Sequence, residues 1–168
     1  MPHASHRLSL FLVPRNPDAV LSPAAGDRVN ELLRDQSVLE PDGRAGANAD
    51  AMVVGGFSRF RIDWPLEPVV YGNRLGGYRA QCPQCGFSLV RAMVAGLRSW
   101  RKGEGREFDC PNCRERTSLE AINYAPPAAP AKWALVFSRT ESSDVQQDLL
   151  QKLESLCESE LLAIWIRG

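Results

Sequence analysis

An α+β fold is what this sequence of 168 residues predicts: a ferredoxin-like β-α-β-β-α-β sandwich with a cysteine-bearing module inserted between its two halves. Three observations predict it. A strand–helix–strand run can be read in residues 8–65, and a second in residues 132–168. The first and third strands, Leu8 to Val13 and Trp133 to Phe137, are apolar on both faces, as the interior strands of that topology must be. Two C-x-x-C pairs lie between the halves and belong to neither run.

Each element has its own signal. Residues 1–7 hold both histidines, His3 and His6, and read as a flexible tail. The run Leu8 to Val13 stops at Pro14. Ser22-Pro23 pairs an N-cap oxygen with a proline at the first helical position, where its missing N–H costs nothing. Val29, Leu32 and Leu33 recur at helical spacing, so a helix is expected from Pro23 to Leu39, halted by Pro41-Asp42-Gly43. Extended structure resumes at Met52-Val53-Val54, with a bend at Gly55-Gly56. Phe60, Ile62 and Trp64 then alternate with Arg59, Arg61 and Asp63, the mark of a half-buried strand near a sheet edge. In the last third, Ser143 and Gln146 resemble a capping box. Val145, Leu149, Leu153 and Leu156 form one helical stripe behind them. Leu161 to Ile166 is the final strand, more apolar than an edge strand should be, so a cover or a partner is expected for it.

The inserted module is read from residues 78–122. A lead-in linker covers 66–77, and a Pro/Ala linker, Ala125-Pro126-Pro127-Ala128-Ala129-Pro130, lies within 123–131. The module carries Cys82-Pro83-Gln84-Cys85-Gly86 and, after 24 intervening residues, Cys110-Pro111-Asn112-Cys113. Two residues between cysteines let both sulfurs of a tight turn face one point, and two such turns complete a tetrahedron. No export signal is read from the short apolar run near the start, so a reducing, cytoplasmic setting is expected, which favours metal over disulfide. Redox chemistry is the competing reading for a single C-x-x-C; two matched pairs favour metal. Iron held by four thiolates is the alternative occupant.

Residues Tyr78 to Leu119, about a quarter of the chain, resemble the zinc-ribbon superfamily through their C-P-x-C-G and C-P-x-C motifs. The resemblance implies short β-hairpins, with Cys82, Cys85, Cys110 and Cys113 as ligands of a structural Zn²⁺. The second motif departs from the pattern, because Arg114 stands where the first has Gly86, so a tighter or differently capped turn is expected there. No family is recognised for the whole chain.

Within the module, Leu89, Val90, Met93, Val94, Leu97 and Trp100 recur at helical spacing, despite Gly96. Two readings are open for this helix: packing against the main sheet, which is preferred, or an exposed binding face. The formal net charge is zero, with 20 basic and 20 acidic side chains, but it is unevenly divided. Residues 74–118 carry nine Lys and Arg against four Asp and Glu, a net +5, and the rest of the chain a net −5. Four thiolates with one divalent cation add −2, leaving the module near +3. Arginine exceeds lysine 17 to 3, a bacterial-like bias expected of GC-rich coding.

Signals for catalysis are thin. Gly56-Phe57-Ser58 and Gly86-Phe87-Ser88 lack the closing glycine of a nucleophile elbow, and Gly72 to Gly77 lacks the phosphate-loop lysine. Asp63 and Glu67 read equally as a carboxylate pair or as ordinary strand-end charges, and Cys157 reads as a buried structural thiol. No stretch is long and apolar enough to span a bilayer. The expected function is a noncatalytic, zinc-stabilised protein-binding module: regulatory, adaptor or toxin-immunity in kind. Arg79, Phe87, Arg114 and Arg116 are the expected partner contacts. The alternative is a nucleic-acid-binding ribbon in transcription or RNA handling. No membrane partner is expected, and the sequence leaves the oligomeric state open.

Overall fold

A computed structural model describes residues 8–73 and 78–168 of the chain. The expected tail over 1–7, with His3 and His6, lies outside the described residues, as does the end of the lead-in at 74–77. In chain order the elements are β1 (Leu8–Pro14), α1 (Pro23–Asp35), β2 (Arg59–Asp63), β3 (Val69–Gly72), β4 (Arg79–Gln81), α2 (Val90–Arg101), β5 (Glu107–Asp109), β6 (Arg116–Ser118), β7 (Asn123–Ala125), β8 (Ala128–Ala131), β9 (Ala134–Thr140), α3 (Gln147–Cys157) and β10 (Leu161–Arg167). The molecule is therefore mixed α and β, and its strands pair in antiparallel sheets.

The main sheet has the order β10-β1-β9-β2, with every neighbouring pair antiparallel. The interior strands are β1 and β9, the two with apolar residues on both faces. On one face Leu10, Leu12, Leu135 and Phe137 meet Val29 and Leu33 of α1 and Leu149 and Leu153 of α3. Trp133, fully buried, closes this cluster, and its indole N–H donates to the Ala19 carbonyl at 3.1 Å. The opposite residues of the same strands, Phe11, Val13, Ala134 and Val136, belong to a second cluster.

The second face is covered by the stretches read as linkers. The stretches expected as linkers over 66–77 and 123–131 are largely paired strand: β3 runs antiparallel to β8, and β4 to β7. A chain that leaves a sheet and returns to it runs beside itself in opposite directions. Its backbone N–H and C=O groups then bond to each other. Val69, Tyr71, Ala129 and Ala131 of this stalk pack on the sheet face away from α1 and α3. The Tyr71 hydroxyl donates to Asp63 Oδ2 at 2.8 Å and ties the stalk to β2; burial first, and that carboxylate second, push the hydroxyl well above its usual titration range. The stalk also explains the apolar last strand. Leu162, Ile164 and Ile166 of β10 face this cluster, and Leu161 and Trp165 join the other.

Two local expectations are corrected. The first helix stops at Asp35, short of Leu39, because Ser37 takes a left-handed φ of 57° and the Val38 N–H donates to the Leu33 carbonyl at 2.8 Å. Val38 and Leu39 are thereby turned into the core. Ser143 does not cap α3. Val145 bridges to Val53, and the Gln146 N–H donates to the Met52 carbonyl at 2.9 Å, so the chain there is held as an extended bridge and the helix begins only at Gln147. The Ser22 cap of α1 is present: its Oγ accepts from the Ala25 N–H at 3.1 Å.

Candidate metal centre

The module has a core of its own. Ala80, Cys82, Leu89, Met93, Trp100, Cys110, Leu119 and Ile122 are buried together, with Tyr78, Phe108 and Tyr124 packed around them. The helix α2 therefore packs on the module's own strands, and neither reading made from the sequence describes it fully. Its inner face meets β4 and β5, whereas Val90 and Val94 on the outer face are 39% and 40% exposed. Gly96 permits the close approach. A Cβ there would lie 3.1 Å from the Phe108 ring and 3.3 Å from Leu119.

Two equivalent turns present the cysteines. In the first, the Cys82 N–H donates to the Phe87 carbonyl and the Gly86 N–H to the Cys82 carbonyl, both at 2.9 Å. In the second, the Cys110 N–H donates to the Glu115 carbonyl and the Arg114 N–H to the Cys110 carbonyl, again at 2.9 Å. Gly86 has φ +72° and Arg114 has φ 64°. Arg114 therefore adopts the glycine conformation, and the expectation of a tighter or differently capped second turn is corrected.

The four Sγ atoms all lie within 4.8 Å of one another. Cys82 and Cys113 are 3.8 Å apart, as are Cys85 and Cys110. A disulfide needs sulfurs at about 2.05 Å, so these thiols are unbridged. The edge of a tetrahedron with metal–sulfur bonds of about 2.3 Å is about 3.8 Å, which fits both of these pairs. Four converging thiols are a donor set that could hold a metal ion, and the spacing is right for one. Cys82 and Cys110 are buried against the module core, Cys113 is half-buried and Cys85 is exposed, so the centre sits at the surface with one side sealed.

Four thiols this close together do not ionise alike. The Asn112 side-chain N–H donates to Cys85 Sγ at 3.5 Å and, with a backbone N–H at Phe87, draws that thiol down to about 6. At Cys113 a backbone N–H at Glu115 favours the thiolate, but desolvation and the neighbouring thiols outweigh it and push the group up to about 12. One sulfur ionises readily and the next resists, because like charges accumulate within a few ångströms. A cation relieves that repulsion.

No family model, curated protein or solved structure matches this chain. Function must therefore be argued from the site and its surroundings.

The four expected partner contacts are all on the module surface but are not equivalent. Arg79 is exposed on β4, and Arg114 is exposed in the second turn. Phe87, 44% exposed, follows the first turn directly. Arg116 is occupied, with Nε 3.1 Å from Glu107 and Nη1 3.6 Å from Asp109. Asp63 and Glu67 do not form a carboxylate pair: Asp63 accepts from Tyr71, and Glu67 lies 3.4 Å from Arg101. Burial pushes the Cys157 thiol up to about 12, which suits a structural role.

Sequence reasoning missed the latch between the module and the loop that follows β1 of the main sheet. Asp18, in the loop after β1, pairs with Arg106, lies 3.5 Å from Lys132 Nζ and accepts from the Trp100 indole at 3.3 Å. Arg106 also reaches Glu120 at 2.9 Å, and the cations of Arg106 and Lys132 stand about 6 Å from the Trp100 ring. A cleft of about 620 Å³ beside this latch is lined by Arg15, Arg106, Glu120 and Glu160, but those charges already pair, Arg15 with Glu160 at 2.8 Å. No local signal marks Asp18, because its partners Trp100 and Arg106 lie 82 and 88 residues away and Lys132 is farther still.

Proposed function

We propose that this chain is a noncatalytic, zinc-stabilised protein-binding module, in which a ferredoxin-like sandwich displays a zinc ribbon as its recognition surface. The sandwich reading is supported by the strand order β10-β1-β9-β2, by the alternating strand directions, and by the contact of α1 with α3 above one face. The ribbon reading is supported by the two equivalent cysteine turns on short strands. Zinc is the metal that an all-thiolate set at these spacings favours. Four protein ligands leave no open position for an activated water, so the ion's task is to hold the module together.

The observation that carries the binding role is an apolar stripe beside the metal centre. Phe87, Val90 and Val94 are the large hydrophobic side chains exposed on the module, and the two valines lie one helical turn apart on α2. Arg91 and Arg98 flank them, exposed on the same helix. An apolar centre with an arginine rim is the composition of a protein interface. The site thus keeps Phe87 from the expected contacts and adds the outer face of α2. Such a surface suits an adaptor, a regulator, or an immunity protein that blocks a toxin.

Nucleic-acid binding is less well supported. Arg101, Arg106 and Arg116 of the basic segment are each paired with carboxylates, which leaves less charge for phosphates. The test compares the wild-type chain with a Phe87→Ser/Val94→Ser variant of unchanged metal content. Wild type should retain a protein partner from extract of the source cells, and the variant should bind it about tenfold or more weakly. Equal retention by both, or oligonucleotide binding that falls steeply with salt, overturns this reading in favour of the alternative.

A further inference from the structure

The two edges of the main sheet are treated differently. Along β2 the first part of the outer edge is covered, since Arg44 bridges to Arg59 and the Phe60 N–H donates to the Gly43 carbonyl at 2.9 Å, and the exposed Arg61 follows. Along β10, no strand or bridge pairs with the outer side among the described residues. The Leu161 N–H donates to Glu154 Oε1 at 2.9 Å, away from β1. Backbone directions alternate along a strand, so the N–H and C=O groups of Ala163 and Trp165 also point outward. No proline, lysine or bulge interrupts residues 161–166. Such devices normally protect an exposed edge, and without them the strand is a template for pairing.

We propose that β10 is a self-pairing edge, occupied by β10 of a second copy of this chain in antiparallel register about a two-fold axis at Ile164. Self-complementarity selects that occupant. Overlap of Leu161–Arg167 with itself places Ala163 opposite Trp165 of the second copy, so the outward backbone groups of these two residues meet, while the Leu161 N–H stays with Glu154. On the helix side, the smallest side chain of the strand then faces the largest. Ala163 is exposed and leaves room for the half-buried indole. On the stalk side, Leu162 faces Ile166, and both are half-buried in the single chain. Charge agrees as well. Glu154 and Glu158 lie near the start of the strand, beside a Glu160 already paired with Arg15, and Arg167 stands at its end. Antiparallel overlap brings each Arg167 to the acidic end of the other copy. The interface is isologous, as a two-fold dimer requires, and joins the two main sheets into one. It is remote in sequence from the Phe87–Val94 stripe and stands independently of the proposed binding role.

Analytical ultracentrifugation of the metal-loaded chain over a range of concentrations tests this. The expected species is a dimer, at twice the 18.6 kDa chain mass, dissociating on dilution. Ala163→Lys should give a monomer by filling the space that the indole of the second copy needs and by setting the two lysines, one from each copy, diagonally across the pair. Ala163→Pro should do the same by deleting an outward N–H without touching the bonds to β1. Circular dichroism and metal content should be unchanged for the lysine variant, which keeps the test decisive where the proline variant does not fold. Amide exchange at Ala163 and Trp165 should quicken on dilution. A wild type that is monomeric at every concentration, or a dimer that survives Ala163→Lys, overturns the proposal.

Discussion

Gly86 and Arg114 occupy the same place in two equivalent turns, so substitutions there separate backbone strain from side-chain contact. A Cβ added at Gly86 meets nothing within 4 Å, so Gly86→Ala introduces no clash and leaves only the left-handed φ of +72°. That conformation costs a residue with a Cβ about 1–2 kcal/mol. The stiffer unfolded chain of alanine offsets about 0.4–1 kcal/mol. The net destabilisation is about 1 kcal/mol. In a structural metal site, folding and binding are one equilibrium, so the strain appears as metal affinity about fivefold weaker. Arg114→Gly is the reciprocal change: it removes strain already present at φ 64° and should tighten binding by up to about fivefold. Competition with a chromophoric chelator of known affinity, at one fixed pH, measures both. An unchanged affinity for Gly86→Ala, or a weaker one for Arg114→Gly, would refute the equivalence of the turns.

Two further outcomes are expected. Cys82→Ser or Cys110→Ser removes a buried ligand, so metal content should drop from one ion per chain towards none and exchange protection should vanish in β4 to β7 while β1 and β9 keep theirs; metal content unchanged in both variants disproves the ligand assignment. At Asp18, partial desolvation raises the carboxyl, but Arg106, Lys132 and the Trp100 indole outweigh it and hold the group below its usual value. A depressed folded pKa stabilises above the unfolded value and loses that contribution as pH falls through the folded one, so the latch weakens below about pH 4. The carboxylate is about half exposed, and screening leaves at most about 1 kcal/mol. The melting-temperature gap between wild type and Asp18→Asn should therefore close between pH 6 and pH 3; a gap that is constant over that range speaks against the ionic latch.

Much of this molecule was legible before folding was considered. Ser22-Pro23 announced the start of α1 because capping depends on atoms three residues apart. The both-face apolar runs around Leu10 and Leu135 announced interior strands because a strand covered on two sides has no position for a charge. Cys82, Cys85, Cys110 and Cys113 announced their convergence because few chemistries need sulfur at that spacing. Ser143 and Gln146 misled for the converse reason: the local motif is present, but the bridge of Val145 to Val53 draws the same residues into extended backbone.

The sequence by itself therefore determined the four strands of the main sheet, the three helices to within a few residues of their ends, and the four thiols, all of which follow from side-chain type and short spacing. Tertiary structure alone decided that the Pro/Ala stretch pairs with Val69–Gly72 and roofs the sheet, that α2 seals the module's own core, and that Asp18 receives Trp100 and Arg106. These are meetings between distant segments. Backbone amides look alike along the chain, and a carboxylate accepts from any cation or indole brought to it, so which ones meet is settled only when the packed sheet brings them within reach.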